Sequence, residues 1–320
     1  MESYERRVFV SLLFVVMCAL LTMQHCSAHY IIAESDGGLS NRLRTMISHM
    51  FLGKVLHNDA QLVMVWDVND ACPGHFLQIF MPLENVTFIS NSTRAEFEKH
   101  AVKVYPKSRD GFERTMLNYD VNLIVKRRTW WNIELTYWEL LKWTRDIDDR
   151  VEEYVARHSV CNITSMHIRK TDMDLELNAK KKSGYDHYYK WVDTRPPEEP
   201  VYLMTDNPNT QRHFIEKYGR NKIFVYKNIS SVESQVPISQ LVTAATPSAA
   251  AASVSSVPPE TKKLAIDHRF TTIEHTIVDI LISAHARDFK PAPFSSVSDF
   301  ERMLNFLHRW KWCGCTFRGC

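Results

Sequence analysis

Excess charge of either sign is missing from this 320-residue chain: 39 Lys and Arg stand against 37 Asp and Glu, a formal net charge of +2. That balance gives no support for nucleic-acid binding through a generally basic surface. Nor is there an apolar run long enough to span a bilayer. The longest, residues 8–23, is about sixteen residues against the roughly 20 a spanning helix needs. An internal repeat is lacking too, and the Gly37-Gly38 turn has no third glycine to complete a dinucleotide fingerprint. Of seven cysteines, Cys18 and Cys26 fall in the N-terminal segment. The remaining Cys72, Cys161, Cys313, Cys315 and Cys320 are odd in number, so one stays unpaired. The Cys-Gly-Cys tail near His308 fits no standard zinc spacing, and reads as a disulfide or a simple tail.

What is present is an ordinary globular composition, 45% hydrophobic and 24% charged, long enough for two modest domains. Arg6-Arg7, the apolar run and the small residues near Cys26-Ser27-Ala28 form a signal pattern over residues 1–28. Three readings stay open, a cleaved signal peptide, an uncleaved anchor and a buried helix; only the second brings the protein to a membrane. All favour or allow the secretory pathway, as ER or Golgi lumen or secretion. Acceptor sequons at Asn85, Asn91, Asn162 and Asn228 agree, with Asn162 crowded by a predicted strand.

The mature chain begins with a short β-type run at 30–33, a glycine turn and a predicted helix over 43–56, then a strand over 61–66: a βαβ unit. Residues 85–130 give no clear periodicity. A charged helix over 144–157 reads as a connector between an N-terminal α/β domain, 29–157, and a C-terminal Rossmann-like domain, 158–320. The second domain alternates a strand over 163–168, helix near 185–192, strand over 201–205, helix over 208–218 and strand over 223–226. Residues 231–262, rich in Ser, Ala, Val and Pro, read as a low-complexity insertion. Helical periodicity returns over 272–284 and 297–310.

Four places can carry chemistry. His167, Arg169 and Lys170 end a predicted strand, where open α/β sheets bind ligands. An arginine fork and a lysine point charge there suit a diphosphate, or form a plain surface pair. Asp206 ends the next strand and binds ligand or caps the helix opened by Pro208. Asp279 sits between Val278 and Ile280 on an apolar helix, so its carboxylate needs a partner, either a guanine edge or a protein base. Ser295 and Ser296, just before a helix, hold an anion or act as its N-cap. Fourth, Gly37 and Gly38 let backbone approach a ligand, with Asn41 and Arg42 projecting from the helix start as cleft residues.

In order, these segments resemble the GDP-fucose-using fucosyltransferases, most closely the α1,6-fucosyltransferases and more distantly the protein O-fucosyltransferases. Residues 167–172 match the family's His-x-Arg-Arg-Thr-Asp motif, 201–208 its Val-Tyr-Leu-Ala-Thr-Asp-Asp-Pro strand, and 277–296 its Asp-containing helix and Phe-Ser-Ser turn. The resemblance implies an α/β GT-B-like fold, two Rossmann-like domains facing across a cleft. It implies Arg169 on the β-phosphate, His167 and Asp279 framing guanine, and Ser295 and Ser296 helping the phosphates. It further implies inverting transfer without metal or cofactor, from GDP-fucose to a glycan or glycoprotein acceptor. Lys170 replaces the motif's second Arg, Asn207 its second Asp, and Met173 and Leu177 hold the family's Lys and Glu positions. The general base is therefore sought among Glu176, Asp174 and Asp36. Two other readings stay open: another nucleotide-sugar transferase, and a non-catalytic secreted glycan- or nucleotide-binding protein.

Overall fold

The computed structural model describes residues 29–35, 37–69, 71–121, 124–126, 129–158, 160, 163–169, 185–227, 271–293 and 295–311. The signal segment 1–28, the insertion 231–262, and Lys170, Asp174, Glu176 and Asp36 lie outside them. Among the described residues no helix is long and apolar enough to cross a membrane.

The chain opens with β1 (Tyr30–Glu34), α1 (Leu39–Leu56) and β2 (Gln61–Val65). Every residue of β1 is buried, as expected of a strand covered on both faces of a parallel sheet. The helix α1 starts four residues before the predicted 43, because Gly38 already has extended N-cap geometry and its carbonyl accepts the amides of Asn41 and Arg42. The stretch without clear periodicity contains β3 (Val86–Ile89), α2 (Asn91–Glu98), β4 (Lys103–Val104) and α3 (Phe112–Asn118). Then follow α4 (Trp130–Trp138) and α5 (Arg145–His158). The latter buries Ile147, Val151 and Tyr154 on one face, with Asp146 and Asp148 in its first turn and Arg157 in its last, matching the helix dipole.

A second series runs β5 (Thr164–Ile168), α6 (Asp186–Asp193), β6 (Val201–Thr205), α7 (Pro208–Tyr218), β7 (Ile223–Phe224), α8 (Ile273–Ala284), β8 (Asp288–Lys290) and α9 (Ser296–Lys311). Strand β6 and helix α7 have the predicted bounds; β8 has no counterpart in the sequence reading.

Both sheets are parallel and have the same strand order, β3-β2-β1-β4 and β7-β6-β5-β8. In each, the order reverses beside the first strand: between β1 and β4, and between β5 and β8. Ligands of open α/β sheets bind beyond the carboxyl ends of the strands at such a reversal. The α/β reading with two parallel-sheet units thus holds. One apolar core runs from Ile31 and Leu43 through Trp138 to Ile277, Phe300 and Leu304, so the units share buried surface. The crossing contact is α9 against α1 and α4, where Phe300 stacks on Trp138 with ring centroids 4.8 Å apart.

His49, on α1, is buried and wedged edge-on against Tyr105. Its Nδ1–H donates to the Thr45 carbonyl at 2.8 Å, while Nε2 finds no partner. Burial holds its pKa down at about 4, against 6.5 unfolded. Between those values the unfolded chain binds a proton that the folded chain does not, so stability is complete above pH 6.5 and falls as pH drops toward 4. The loss is about 3 kcal/mol at ~1.36 kcal/mol per unit. Urea midpoints measured from pH 7 to 4 should show that slope, and His49→Gln should flatten it.

Candidate functional site

The site grows from the reversal between β5 and β8. His167 is the fourth residue of β5, 4% exposed, and its Nδ1 lies 2.8 Å from Ser298 Oγ in the first turn of α9. The same oxygen accepts the Ala292 amide at 3.0 Å, fixing the turn that leads from β8 into α9. Strand pairing puts Met166 opposite Lys290, so the chain leaves β5 and β8 side by side at the same sheet edge. Arg169 is half-buried and two residues beyond His167, about 7 Å along the backbone at strand rise.

At the start of α9 the carbonyl of Ser295 accepts the Asp299 amide, the first bond of the helix. The Ser295 hydroxyl does not cap: it is buried, in a residue 3% exposed, with no hydrogen-bond partner among the described residues. A buried hydroxyl without a partner costs about 1–3 kcal/mol. Together with the positive end of a sixteen-residue helix, whose first amides lack intrahelical acceptors, it makes a place for an anion. Ser296 is the first residue of α9, half-buried.

Asp206 follows β6 at the same edge, half-buried. The cap of α7 is Asn207, whose side chain accepts the Thr210 amide at 2.9 Å, so the capping alternative for Asp206 is set aside. Asp279 lies on α8, 6% exposed. The Tyr202 hydroxyl donates to its Oδ1 at 2.5 Å, and His275 Nε2 stands 3.5 Å from Oδ2. Burial raises the Asp279 pKa, opposed by the His275 charge and the Tyr202 hydrogen bond. Tyr202 is in turn pushed well above its ordinary range by burial and by the carboxylate. Both oxygens of Asp279 therefore have protein partners, and a guanine edge would have to take the place of one.

Across the molecule, the reversal between β1 and β4 carries the glycine turn. Gly37 has φ +94°, and a Cβ there would lie 2.8 Å from Asn41 Nδ2, so only glycine fits. Gly38 is extended, φ −78° and ψ 178°, and its backbone would admit other residues. Asn41 is half-buried at the helix start. Arg42 does not project into the cleft as the sequence reading had it. It is 2% exposed; its Nε donates to the Gly37 carbonyl at 3.1 Å and its Nη1 to the Asp67 carbonyl at 2.5 Å, and the guanidinium lies over Trp66. The reason is its place one turn into α1, whose start at Leu39 rotates position 42 inward. Glu34, the carboxylate at the end of β1, is held by Arg94 at 2.5 Å and Lys107 at 2.7 Å.

Between the two reversals lies a cavity of about 600 Å³, walled by α1, the turn after β4, α3, α4 and α9. Arg44, Arg109, Trp131, Glu134 and Asp299 line it, none of them singled out by sequence. Arg44 Nη1 reaches Asp299 Oδ2 at 3.6 Å, linking α1 to α9. Arg109 and Trp131 fall in or just beyond the stretch without periodicity, and of the neighbouring tryptophans Trp130 is buried while Trp131 is 48% exposed.

No protein-family model matches the chain, and no curated protein does. Among solved structures it is similar to the α-1,6-fucosyltransferase NodZ soaked with GDP-fucose, at 14% identity and TM-score 0.48 over 86% of this chain and 92% of that one. The same enzyme co-crystallized with GDP gives 13% and 0.48 over the same shares. Fucosyltransferase NodZ from Bradyrhizobium gives 13% and 0.48 over 86% of this chain and 93% of its own.

Proposed function

We propose that the chain is an inverting, metal-independent glycosyltransferase that moves fucose from GDP-fucose to a hydroxyl of a glycan or glycoprotein in the secretory pathway. In this reading residues 158–320 form the donor side and 29–157 the acceptor side. The observation that carries it is the Ser295 hydroxyl, buried without a partner among the described residues at the N-terminus of α9, at the reversal point that His167 and Arg169 also share. Such a place suits the diphosphate of a nucleotide sugar. The order of motifs along the chain, 167–172, 201–208 and 277–296, supports the choice of GDP-fucose.

In this mechanism the α9 amides, Ser295 and Ser296 hold the β-phosphate, with Arg169 and Lys170 adding cations. As the bond from C1 of fucose to the phosphate lengthens, negative charge grows on the leaving diphosphate. Fixed donors already aimed at that oxygen stabilise it without reorganisation. His167, fixed by Ser298, orients beside the nucleotide, and Asp206 serves the same strand edge.

The two protein partners on Asp279 favour a second reading, a transferase with another nucleotide base. Calorimetric titration with GDP, GDP-fucose, GDP-mannose and UDP-sugars separates the two. Selective binding of GDP and its sugars, by about tenfold or more over UDP-sugars (~1.4 kcal/mol), is the expected result. Equal affinity for UDP-sugars overturns the guanine assignment.

A further inference from the structure

The cavity between the two reversal points has a different character from the anion site beside it. Four arginines of its lining are matched by four carboxylates, so it offers no net field to a second anion. Planar guanidinium and carboxylate groups share its wall with a tryptophan: Trp131 is 48% exposed, braced edge-on against Phe306. Such walls fit a neutral ligand with many hydroxyls. The flat side chains give and take paired hydrogen bonds, and an indole face takes up the apolar C–H side of a sugar ring. The volume, about 600 Å³, lies within the usual range for small-ligand sites. Asp299, on its wall, is three residues into α9 from Ser296, about 4.5 Å at helical rise.

We infer that this cavity binds the acceptor as a neutral oligosaccharide, with Trp131 as its platform and Glu134 as the carboxylate that takes the proton of the attacking hydroxyl. The inference rests on the donor reading above. Glu134 Oε1 accepts the Trp138 indole N–H at 3.3 Å, which fixes the side chain and leaves Oε2 for the acceptor. Burial raises its pKa first of all, and the nearby Asp299 and Glu113 charges add to that, against the Trp138 bond and Arg44. A carboxylate so placed is a better base than an exposed one. In the transfer the acceptor oxygen bonds to fucose C1, the C1–O bond to the β-phosphate breaks with its electron pair leaving on GDP, and the hydroxyl proton passes to Glu134 and then to solvent.

The test uses the full chain and two probes. The first is GDP, titrated calorimetrically. The second is a pool of neutral oligosaccharides released from N-glycoproteins, followed by tryptophan fluorescence and, with GDP-fucose, by fucose transfer. Wild type should bind the pool. Trp131→Ala should raise its half-saturation by about tenfold (~1.4 kcal/mol), and Glu134→Gln should lower kcat by about 100-fold with KM little changed. Both variants should bind GDP like wild type, which also reports that they are folded. Unchanged oligosaccharide binding in Trp131→Ala, unchanged kcat in Glu134→Gln, or no binding of the pool by wild type overturns the inference. Loss of GDP binding in wild type overturns the donor reading instead, and the fluorescence titration still judges the cavity by itself.

Discussion

Arg169→Ala should weaken GDP binding by about 100-fold, a cost near 2.7 kcal/mol. An arginine fork on a phosphate makes charge-assisted hydrogen bonds, each contributing about 1.5–3 kcal/mol, so the loss of one or two accounts for that figure. The side chain is half-buried at the exit of β5, and the same change should cost less in the urea midpoint than in GDP affinity. Arg169→Lys keeps a positive charge and loses the fork, and should fall between the two. Calorimetry on the three proteins checks the series. Affinity in the alanine variant equal to wild type would assign Arg169 to the surface pair that its residue type alone allows.

The largest expected effect on stability belongs to Arg42. Its guanidinium is buried and tied to the carbonyls of Gly37 and Asp67, over the ring of Trp66. Arg42→Ala leaves two carbonyls without their donor and empties the space of a large side chain. Each unsatisfied buried group costs about 1–3 kcal/mol. A total near 4 kcal/mol is expected, a large share of the stability of an ordinary domain. Arg42→Lys cannot reach both carbonyls with one ammonium and should recover less than half. Urea unfolding at pH 7 measures both. A loss under about 1 kcal/mol in the alanine variant would mean that the turn holds without the arginine.

Arg42 also shows where sequence reasoning stops. Ser40, Asn41 and Arg42 are polar neighbours of two glycines, and read as the exposed start of a helix. Only the early start of α1 at Leu39, set by Gly38, brings position 42 inward. By contrast β6 and α7 were legible to the residue, because Val201–Thr205 is a short apolar run and Asn207-Pro208 is a cap followed by a proline at the first helical position. The strands β4 and β8 were not legible: two and three residues, each with a charged end, become strands only through pairing with β1 and β5. Asp279 advertised its need for a partner, but nothing local names Tyr202, which is 77 residues away in the chain. The placement of His167, Asp206 and Ser295 was legible because they sit at strand ends and a helix start. The cavity was not, since α1, α4 and α9 meet there only in three dimensions.

Helix α9 is clamped along its length. Its first turn is bonded to His167, Phe300 is stacked flat on Trp138, and Asp299 answers Arg44. Two lobes joined by a free hinge can open and shut on a substrate; here such a swing would tear the Phe300–Trp138 stack out of a continuous core. The structure thus joins its two sheets through a packed seam, and the two sheets should move as one body.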